Sequence, residues 1–77
     1  MGSLRPNLRR LNPRQQEVLH LLSKGLHNSE IGLQLEVSER TVRGYMNQLF
    51  LIFDVSNRTE LVGAWLTLLA EPEVRSS

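Results

Sequence analysis

The chain contains no cysteine, which excludes disulfides, thiolate zinc sites and thiol catalysis. It has only two histidines, too few for an all-histidine metal site, so neither a metal ion nor another cofactor is expected. No apolar run reaches the roughly 18 residues that a membrane span needs, and no hydrophobic stretch follows Met1 as a signal peptide would require. We therefore expect a cytoplasmic protein that does not associate with a membrane.

The chain has 77 residues, enough for one small domain. A domain of this size buries only about 60% of the surface of its unfolded chain, which leaves little room for an active-site cavity. Glu17 and Glu30 are the carboxylates most easily taken for catalytic groups, but the sequence places neither a nucleophile nor a second acid beside them. We expect no enzymatic activity. Residues 1–3 (MGS) fit a vector-derived remnant on a fragment of a longer protein, and they equally fit a natural start.

The net charge of +1 is unevenly distributed along the chain. Residues 1–11 carry three arginines and no acid, residues 12–71 carry five basic and seven acidic side chains, and the two charges of residues 72–77 cancel. We therefore divide the chain into a basic arm or linker (1–11), a slightly acidic domain (12–71) and a tail (72–77). A uniformly basic nucleic-acid-binding surface is not expected.

Local signals predict two helices in the first half of the domain. Residues 12–15 (NPRQ) combine a capping asparagine, a proline suited to the first helical position and a glutamine that completes a capping box. Gly25 ends this helix, because glycine readily adopts the left-handed conformation. A short second helix starts at Asn28. Gly32 lies beside its apolar side, where the missing Cβ would let another helix approach closely.

A third and a fourth helix are predicted after a tight connection at residues 36–38. Ser38 is expected to cap the third helix, whose inward side has apolar residues at spacings of 4, 3 and 4. Those residues are Val42, Met46, Leu49 and Phe53. The chain turns at Asp54, and residues 57–60 (NRTE) form a capping box that opens the fourth helix. The prediction is an all-α four-helix bundle with a central helix-turn-helix.

Four sequence blocks between Leu11 and Ala70 match one pattern in order and spacing. Residues 11–19 (LNPRQQEVL) are similar to L-T-P-R-E-x-E-V-L, and residues 25–31 (GLHNSEI) to G-x-S-N-K-E-I. Residues 37–43 (VSERTVR) are similar to I-S-x-x-T-V-K, and residues 55–61 (VSNRTEL) to V-x-x-R-T-E-A. The sequence thus resembles the LuxR/FixJ/GerE-type DNA-binding domain, the C-terminal effector domain of NarL/FixJ-like response regulators.

The resemblance implies sequence-specific binding of double-stranded DNA by a transcription regulator, either the output domain of a response regulator or a stand-alone protein. It implies base contacts by Arg43, Gly44 and Asn47. It implies phosphate contacts by Ser38, Arg40, Thr41, Asn57, Arg58 and Thr59. Some of these residues have simpler explanations: Ser38 as a cap alone, Arg58 as part of the capping arrangement of the fourth helix, and Gly44 as sequence drift.

The sequence departs from the family pattern at three places. Leu33 and Gln34 stand where relatives carry a basic pair, and Leu51 and Ile52 stand where relatives carry basic residues late in the third helix. Asp54 replaces a glycine, a mild change because Asp tolerates the left-handed conformation. The loss of positive charge favours an alternative function: a degenerate helix-turn-helix that serves as a protein-interaction or dimerisation module with weak DNA affinity. Its protein partner would bind at Leu33, Leu51 and Ile52.

The fourth helix is apolar on two stripes, residues 61, 65 and 68 and residues 62, 66 and 69. One stripe can seal the small core, and a helix that is apolar all round is expected to be buried on more than one side. The second stripe therefore predicts a two-fold homodimer. The expected interface residues are Val62, Trp65, Leu66 and Leu69. Alternatively, the second stripe packs on another domain of a longer protein.

Overall fold

The computed structural model describes residues 11–70. This part of the chain contains four helices and no strand, which confirms the predicted all-α fold. The helices are α1 (Pro13–Ser23), α2 (Asn28–Leu35), α3 (Glu39–Phe53) and α4 (Arg58–Ala70). The short α2, a three-residue turn and the longer α3 form the helix-turn-helix, and both α1 and α4 pack against α3.

The start of α1 is capped as predicted. The Asn12 side chain accepts a hydrogen bond from the Gln15 backbone N–H at 2.8 Å, and the Gln15 side chain accepts one from the Asn12 N–H at 3.0 Å. This reciprocal capping box supplies acceptors for backbone donors that have no partner inside the helix. At the start of α2, the Glu30 side chain accepts from the His27 N–H at 2.7 Å, so His27 is the cap residue and the helix begins at Asn28, as predicted.

The start of α4 has a cap that differs in one detail from the predicted box. The Asn57 side chain accepts from the Glu60 N–H at 2.9 Å, as expected. The Glu60 carboxylate accepts from the N–H of Ser56 at 2.8 Å, one residue before the cap. Both Asn57 and Glu60 therefore stabilise the start of α4, with the returning bond shifted by one position.

Three helices end on residues in the left-handed conformation, including two that are not glycine. Gly25 has φ +90° after α1, Glu36 has φ 61° after α2 and Asp54 has φ 56° after α3. The position of Asp54 confirms the expected left-handed turn. Glu36 was not anticipated there, because a residue with a Cβ is disfavoured in this conformation and glutamate has no local compensation comparable to that of Asp or Asn.

The core is formed by apolar side chains from all four helices and by Leu11, which lies two residues before α1. The buried apolar residues are Leu11, Val18, Leu19, Leu22, Ile31, Val42, Met46, Leu49, Phe53, Leu61 and Trp65. Leu11 is only 4% exposed, and the Gln16 side chain donates a hydrogen bond to its carbonyl at 3.0 Å. The proposed boundary of the arm at residue 11 was therefore wrong by one residue, because Leu11 belongs to the packed domain.

Gly32 brings the turn of the helix-turn-helix into close contact with α2. A Cβ built on Gly32 would lie 2.7 Å from the Val37 carbonyl oxygen, and the Val37 N–H donates to the Gly32 carbonyl at 2.9 Å. The prediction that Gly32 lets another helix approach was therefore wrong, because the segment that needs the missing Cβ is the backbone of the turn. This contact fixes where the chain leaves α2 and begins α3, and it thereby helps to orient α3.

Candidate nucleic-acid interface

One side of α3 is exposed along most of its length, opposite the buried stripe. We call this side the recognition face and define it by the exposed residues Arg40, Arg43, Gly44, Asn47, Gln48 and Leu51. All three predicted base-contacting residues lie on it. At 3.6 residues per turn, Arg40, Gly44, Asn47 and Leu51 fall within an arc of about 60° that points away from the core stripe. Because the opposite side of α3 is packed in the core, the recognition face is exposed to solvent.

Arg43 has a partner on its own helix. Its guanidinium lies 3.5 Å from the Glu39 carboxylate, and both side chains are more than half exposed. Exposed pairs of this kind contribute about 0–1 kcal/mol because water screens them and both long side chains lose freedom. The Arg43 side chain can therefore turn toward a ligand at little cost.

The start of α3 presents hydroxyl groups that already take part in capping. The Ser38 hydroxyl accepts a hydrogen bond from the Thr41 N–H at 3.0 Å and donates one to the Thr41 hydroxyl at 3.0 Å. The predicted cap at Ser38 is thereby confirmed. Ser38, Arg40 and Thr41 are all exposed, and a helix N-terminus attracts anions through its free N–H groups and its dipole. Phosphate contact at this point stays a prediction.

Gly44 is not required by the packing of the domain. A Cβ built on Gly44 would meet nothing within 4 Å, and the residue is exposed in the middle of α3. An interior helical glycine costs roughly 1 kcal/mol relative to alanine. Within residues 11–70, no close contact therefore requires a glycine at this position.

Arg58 joins two distant parts of the chain. Its guanidinium donates to the Leu26 carbonyl at 2.7 Å and to the Asn28 side-chain oxygen at 3.4 Å, and the residue is half-buried. It thus ties the start of α4 to the loop between α1 and α2. The alternative that Arg58 belongs to the capping arrangement was wrong, because Asn57 and Glu60 make the cap. Phosphate contacts by Asn57, Arg58 and Thr59 stay predictions. Asn57 and Thr59 are exposed, and the side-chain oxygen of Asn57 already accepts the capping bond from Glu60.

Two features of the candidate site were not predicted from the sequence. Gln48 is exposed on the recognition face, four residues after Gly44, and its amide group suits base contacts as well as that of Asn47 does. Its helical spacing was a usable signal. The Leu26 carbonyl that binds Arg58 had no such signal, because a backbone acceptor 32 residues away leaves no mark on the residue type.

The apolar residues that replace family cations divide into two groups. Leu33 is 80% exposed and Leu51 is 83% exposed. Ile52, by contrast, is half-buried and packs against the core, as does Phe50. The prediction placed Ile52 beside Leu51 on a partner-binding surface, but Ile52 lies on the flank of the buried stripe, three residues after Leu49, and packs inward.

The fourth helix separates into an inner and an outer stripe. Leu61 and Trp65 are buried in the core, so the assignment of Trp65 to a dimer interface was wrong: at 4% exposure it is already covered within one domain. Leu66 and Leu69 are each 49% exposed, and Val62 is half-buried. The apolar outer stripe is thus Val62, Leu66 and Leu69. No helix within residues 11–70 is long and apolar enough to cross a membrane.

A short helix, a tight turn and a longer helix with an exposed polar side define a helix-turn-helix domain. The sequence model described as "GerE: Bacterial regulatory proteins, luxR family" matches residues 9–64. The chain therefore belongs to the luxR family of bacterial regulatory proteins, as its sequence motifs predicted. This family is a DNA-binding domain of transcription regulation rather than an enzyme family.

Similar proteins include regulators that are much longer than this chain. The chain is 43% identical over 56 residues to the two-component response regulator PprB of Pseudomonas aeruginosa, a match that covers 73% of the chain and 20% of that protein. It is 50% identical over 50 residues to the response regulator Rre1 of Synechocystis, covering 65% of the chain and 22% of that protein. The chain thus spans about a fifth of the length of these curated relatives.

A solved structure of the transcription factor GerE has the same fold. The two structures superimpose with a TM-score of 0.71 at 30% sequence identity, and the match covers 87% of this chain and 91% of the GerE chain. The agreement shows that the four helices are arranged as in GerE.

Proposed function

We propose that this domain binds double-stranded DNA sequence-specifically by placing α3 in the major groove, as the output domain of a response regulator or as a stand-alone regulator. The observation that carries the proposal is the recognition face, where arginine and amide side chains project opposite a buried stripe. In a helix-turn-helix, the second helix enters the major groove in this orientation. A regulator of this bacterial family acts where the chromosome lies, in the cytoplasm.

The polar residues of the recognition face suit different bases. Arg43 can donate two hydrogen bonds to guanine, and Asn47 can form a bidentate pair with adenine. Gly44 lies between them on the same side of α3, and its lack of a side chain allows the helix to approach the base edges closely. The exposure of all three residues supports these roles.

Phosphate contacts are proposed at two helix starts. Ser38, Arg40 and Thr41 surround the N-terminus of α3, where a phosphate can receive backbone N–H and hydroxyl donors. Asn57 and Thr59 occupy the start of α4. Arg58 mainly joins α4 to the α1–α2 loop through two hydrogen bonds. Its guanidinium has five N–H donors, so others can still bind a phosphate.

We propose that a homodimer forms through the outer stripe of α4. Leu66 and Leu69 leave half of their surface exposed, which suits contact with the same stripe of a second copy across a two-fold axis. The alternative is that this stripe packs on another domain of a longer protein. In either case Val62, Leu66 and Leu69 would be covered.

Sedimentation together with circular dichroism tests the homodimer. Leu66→Glu and Leu69→Glu should each give a folded monomer, because the charge enters the interface and not the core. Leu33→Glu is the matched control, since Leu33 is an exposed leucine on another helix. A wild-type chain that stays monomeric at high micromolar concentration contradicts the homodimer.

A protein-interaction module is the second candidate function. The observation that favours it is the pair of highly exposed leucines, Leu33 in α2 and Leu51 in α3, at positions where relatives carry cations. Their number is small, and Ile52 does not extend the surface because it packs inward. This candidate requires that duplex DNA be bound only weakly and without sequence preference.

Selection from a pool of random duplexes, followed by sequencing of the retained molecules, separates the two functions. An enriched two-fold motif is expected if the domain is a sequence-specific regulator and binds as a dimer. Arg43→Ala should lose the enrichment at one base pair of the motif, whereas Arg14→Ala should retain the whole motif. Arg14 is the matched control because it also forms an ion pair with an acid on its own helix, Glu17, at 3.2 Å. Retention of random sequences by the wild-type chain would favour the protein-interaction module.

A further inference from the structure

Leu51 lies on the recognition face, but a leucine cannot make the polar contacts with bases that we propose for its neighbours. It is 83% exposed, and no part of residues 11–70 covers it. On an ideal helix it points almost directly away from the core stripe, in the same narrow arc as Gly44 and Asn47. An apolar side chain at this point of a DNA-facing helix can neither neutralise phosphate nor donate a hydrogen bond, so any favourable contact must be with an apolar group.

The spacing along α3 brings Leu51 within reach of base edges. Arg43, Asn47 and Leu51 follow one another at intervals of four residues, and each interval advances about 6 Å along the helix. Stacked base pairs are about 3.4 Å apart, so each interval corresponds to nearly two base pairs where the helix follows the groove. Homeodomain recognition helices read bases over about seven positions, close to the eight that separate Arg43 from Leu51.

The major groove contains one apolar group that distinguishes the bases, the C5-methyl of thymine. We propose that Leu51 is a specificity-determining residue that contacts the C5-methyl group of a thymine. This proposal rests on the proposed DNA-binding function and deepens it. The half-site then contains, in order, a guanine read by Arg43, an adenine read by Asn47 and a thymine one or two base pairs further on.

Replacement of single thymines by deoxyuridine tests the proposal, because the two nucleotides differ only by the C5-methyl group. The probe is the duplex enriched in the selection experiment, with each thymine replaced in turn, and affinity is measured with the full chain. One thymine per half-site should show about fourfold weaker binding on replacement, the value of one buried methyl-sized group. Asn47→Ala should lose its base preference one or two base pairs away.

Two leucine variants assign the methyl effect to a side chain. Leu51→Ala should bind the thymine and deoxyuridine duplexes equally well at that position, because the methyl group has lost its partner. Leu33→Ala should keep the fourfold difference, since Leu33 is equally exposed but lies on α2. Both substitutions remove exposed side chains, and circular dichroism of each variant should match that of the wild-type chain.

The outcomes distinguish this inference from the proposed function. If no duplex is enriched, sequence-specific binding itself is wrong, and the role of Leu51 is wrong with it. If a motif is enriched but no thymine is methyl-sensitive, or if Leu51→Ala retains the sensitivity, the inference is overturned while the proposed function stands. A methyl-sensitive thymine on the far side of the position read by Arg43 also contradicts the proposed order.

Discussion

Arg43 and Arg58 both lie near the start of a helix in a DNA-binding motif, but their surroundings differ. Arg43 is exposed, and its ion pair with Glu39 stays within one helix. Arg58 is half-buried and holds the Leu26 carbonyl and the Asn28 side chain, about 30 residues away in sequence. The same residue type thus has two different roles in this domain. Arg43 is available to a ligand, whereas Arg58 joins two parts of the framework that carries the recognition face.

The largest effect on stability is expected from substitution of Arg58, the arginine that joins α4 to the α1–α2 loop. Arg58→Ala removes two charge-assisted hydrogen bonds between α4 and the α1–α2 loop, and bonds of this type contribute about 1.5–3 kcal/mol. We expect a loss of about 2 kcal/mol in the free energy of unfolding and a Tm lower by about 10 °C. Thermal unfolding by circular dichroism measures both. Arg14→Ala is the control and should change the free energy of unfolding by less than about 0.5 kcal/mol. An unchanged Tm in Arg58→Ala would assign Arg58 to the ligand instead.

The recognition arginine should show the opposite behaviour. Arg43→Ala should leave the Tm unchanged, because the lost ion pair with Glu39 is exposed and screened. Binding to the preferred duplex should weaken by about 1–3 kcal/mol, and discrimination should flatten at one base pair. Titration of duplexes with single base-pair changes measures this. The assignment fails if all base-pair preferences survive the substitution.

Two exposed glycines, one on the recognition face and one outside it, allow the same contrast between DNA binding and stability. Gly44 in α3 and Gly63 in α4 are both exposed, and a Cβ on either would meet nothing within 4 Å. Replacement of each by alanine should raise the free energy of unfolding by about 1 kcal/mol. Only Gly44→Ala should weaken DNA binding, because only Gly44 lies on the recognition face. Equal DNA affinity of the two variants, measured by fluorescence anisotropy, would favour drift at Gly44.

The smallest effect is expected in the salt dependence of binding. Each lost phosphate contact lowers the slope of log affinity against log salt by about 0.9. Arg40→Ala should lower the slope by this amount, because Arg40 is exposed at the start of α3. Arg58→Ala should leave it nearly unchanged, since the guanidinium is held within the domain. A lower slope in Arg58→Ala, measured at a temperature where that variant is folded, would restore Arg58 as a phosphate contact.

Much of the fold could be predicted because its signals are local. The capping box at Asn12, the cap at Ser38 and the core stripe of α3 depend on residues three or four positions apart, and spacing alone reveals them. The left-handed turn at Asp54 was expected because the family pattern has a glycine there and Asp tolerates this conformation. The caps at Asn12 and Ser38 and the core side of α3 were therefore predictable before the tertiary structure was known.

The candidate site was less predictable where it depends on contacts between distant segments or on a helix that is apolar on all sides. The bond from Arg58 to a backbone carbonyl depends on the tertiary approach of two segments. In α4, apolar residues occur all round the helix, so the pattern does not say which side faces the core, and Trp65 was assigned to the wrong side. Ile52 posed the same difficulty at the edge of the α3 stripe.

The central claim is that Arg43 contacts DNA bases while Arg58 holds the domain together. One ratio tests it most directly, the affinity for the enriched duplex divided by the affinity for random duplex. It should be measured side by side for the wild-type chain, Arg43→Ala and Arg58→Ala, at a temperature where all three are folded. We predict that the ratio falls about 5- to 150-fold in Arg43→Ala, equivalent to the loss of about 1–3 kcal/mol, and stays unchanged in Arg58→Ala. An unchanged ratio in Arg43→Ala, or an equal fall in both variants, would contradict the account.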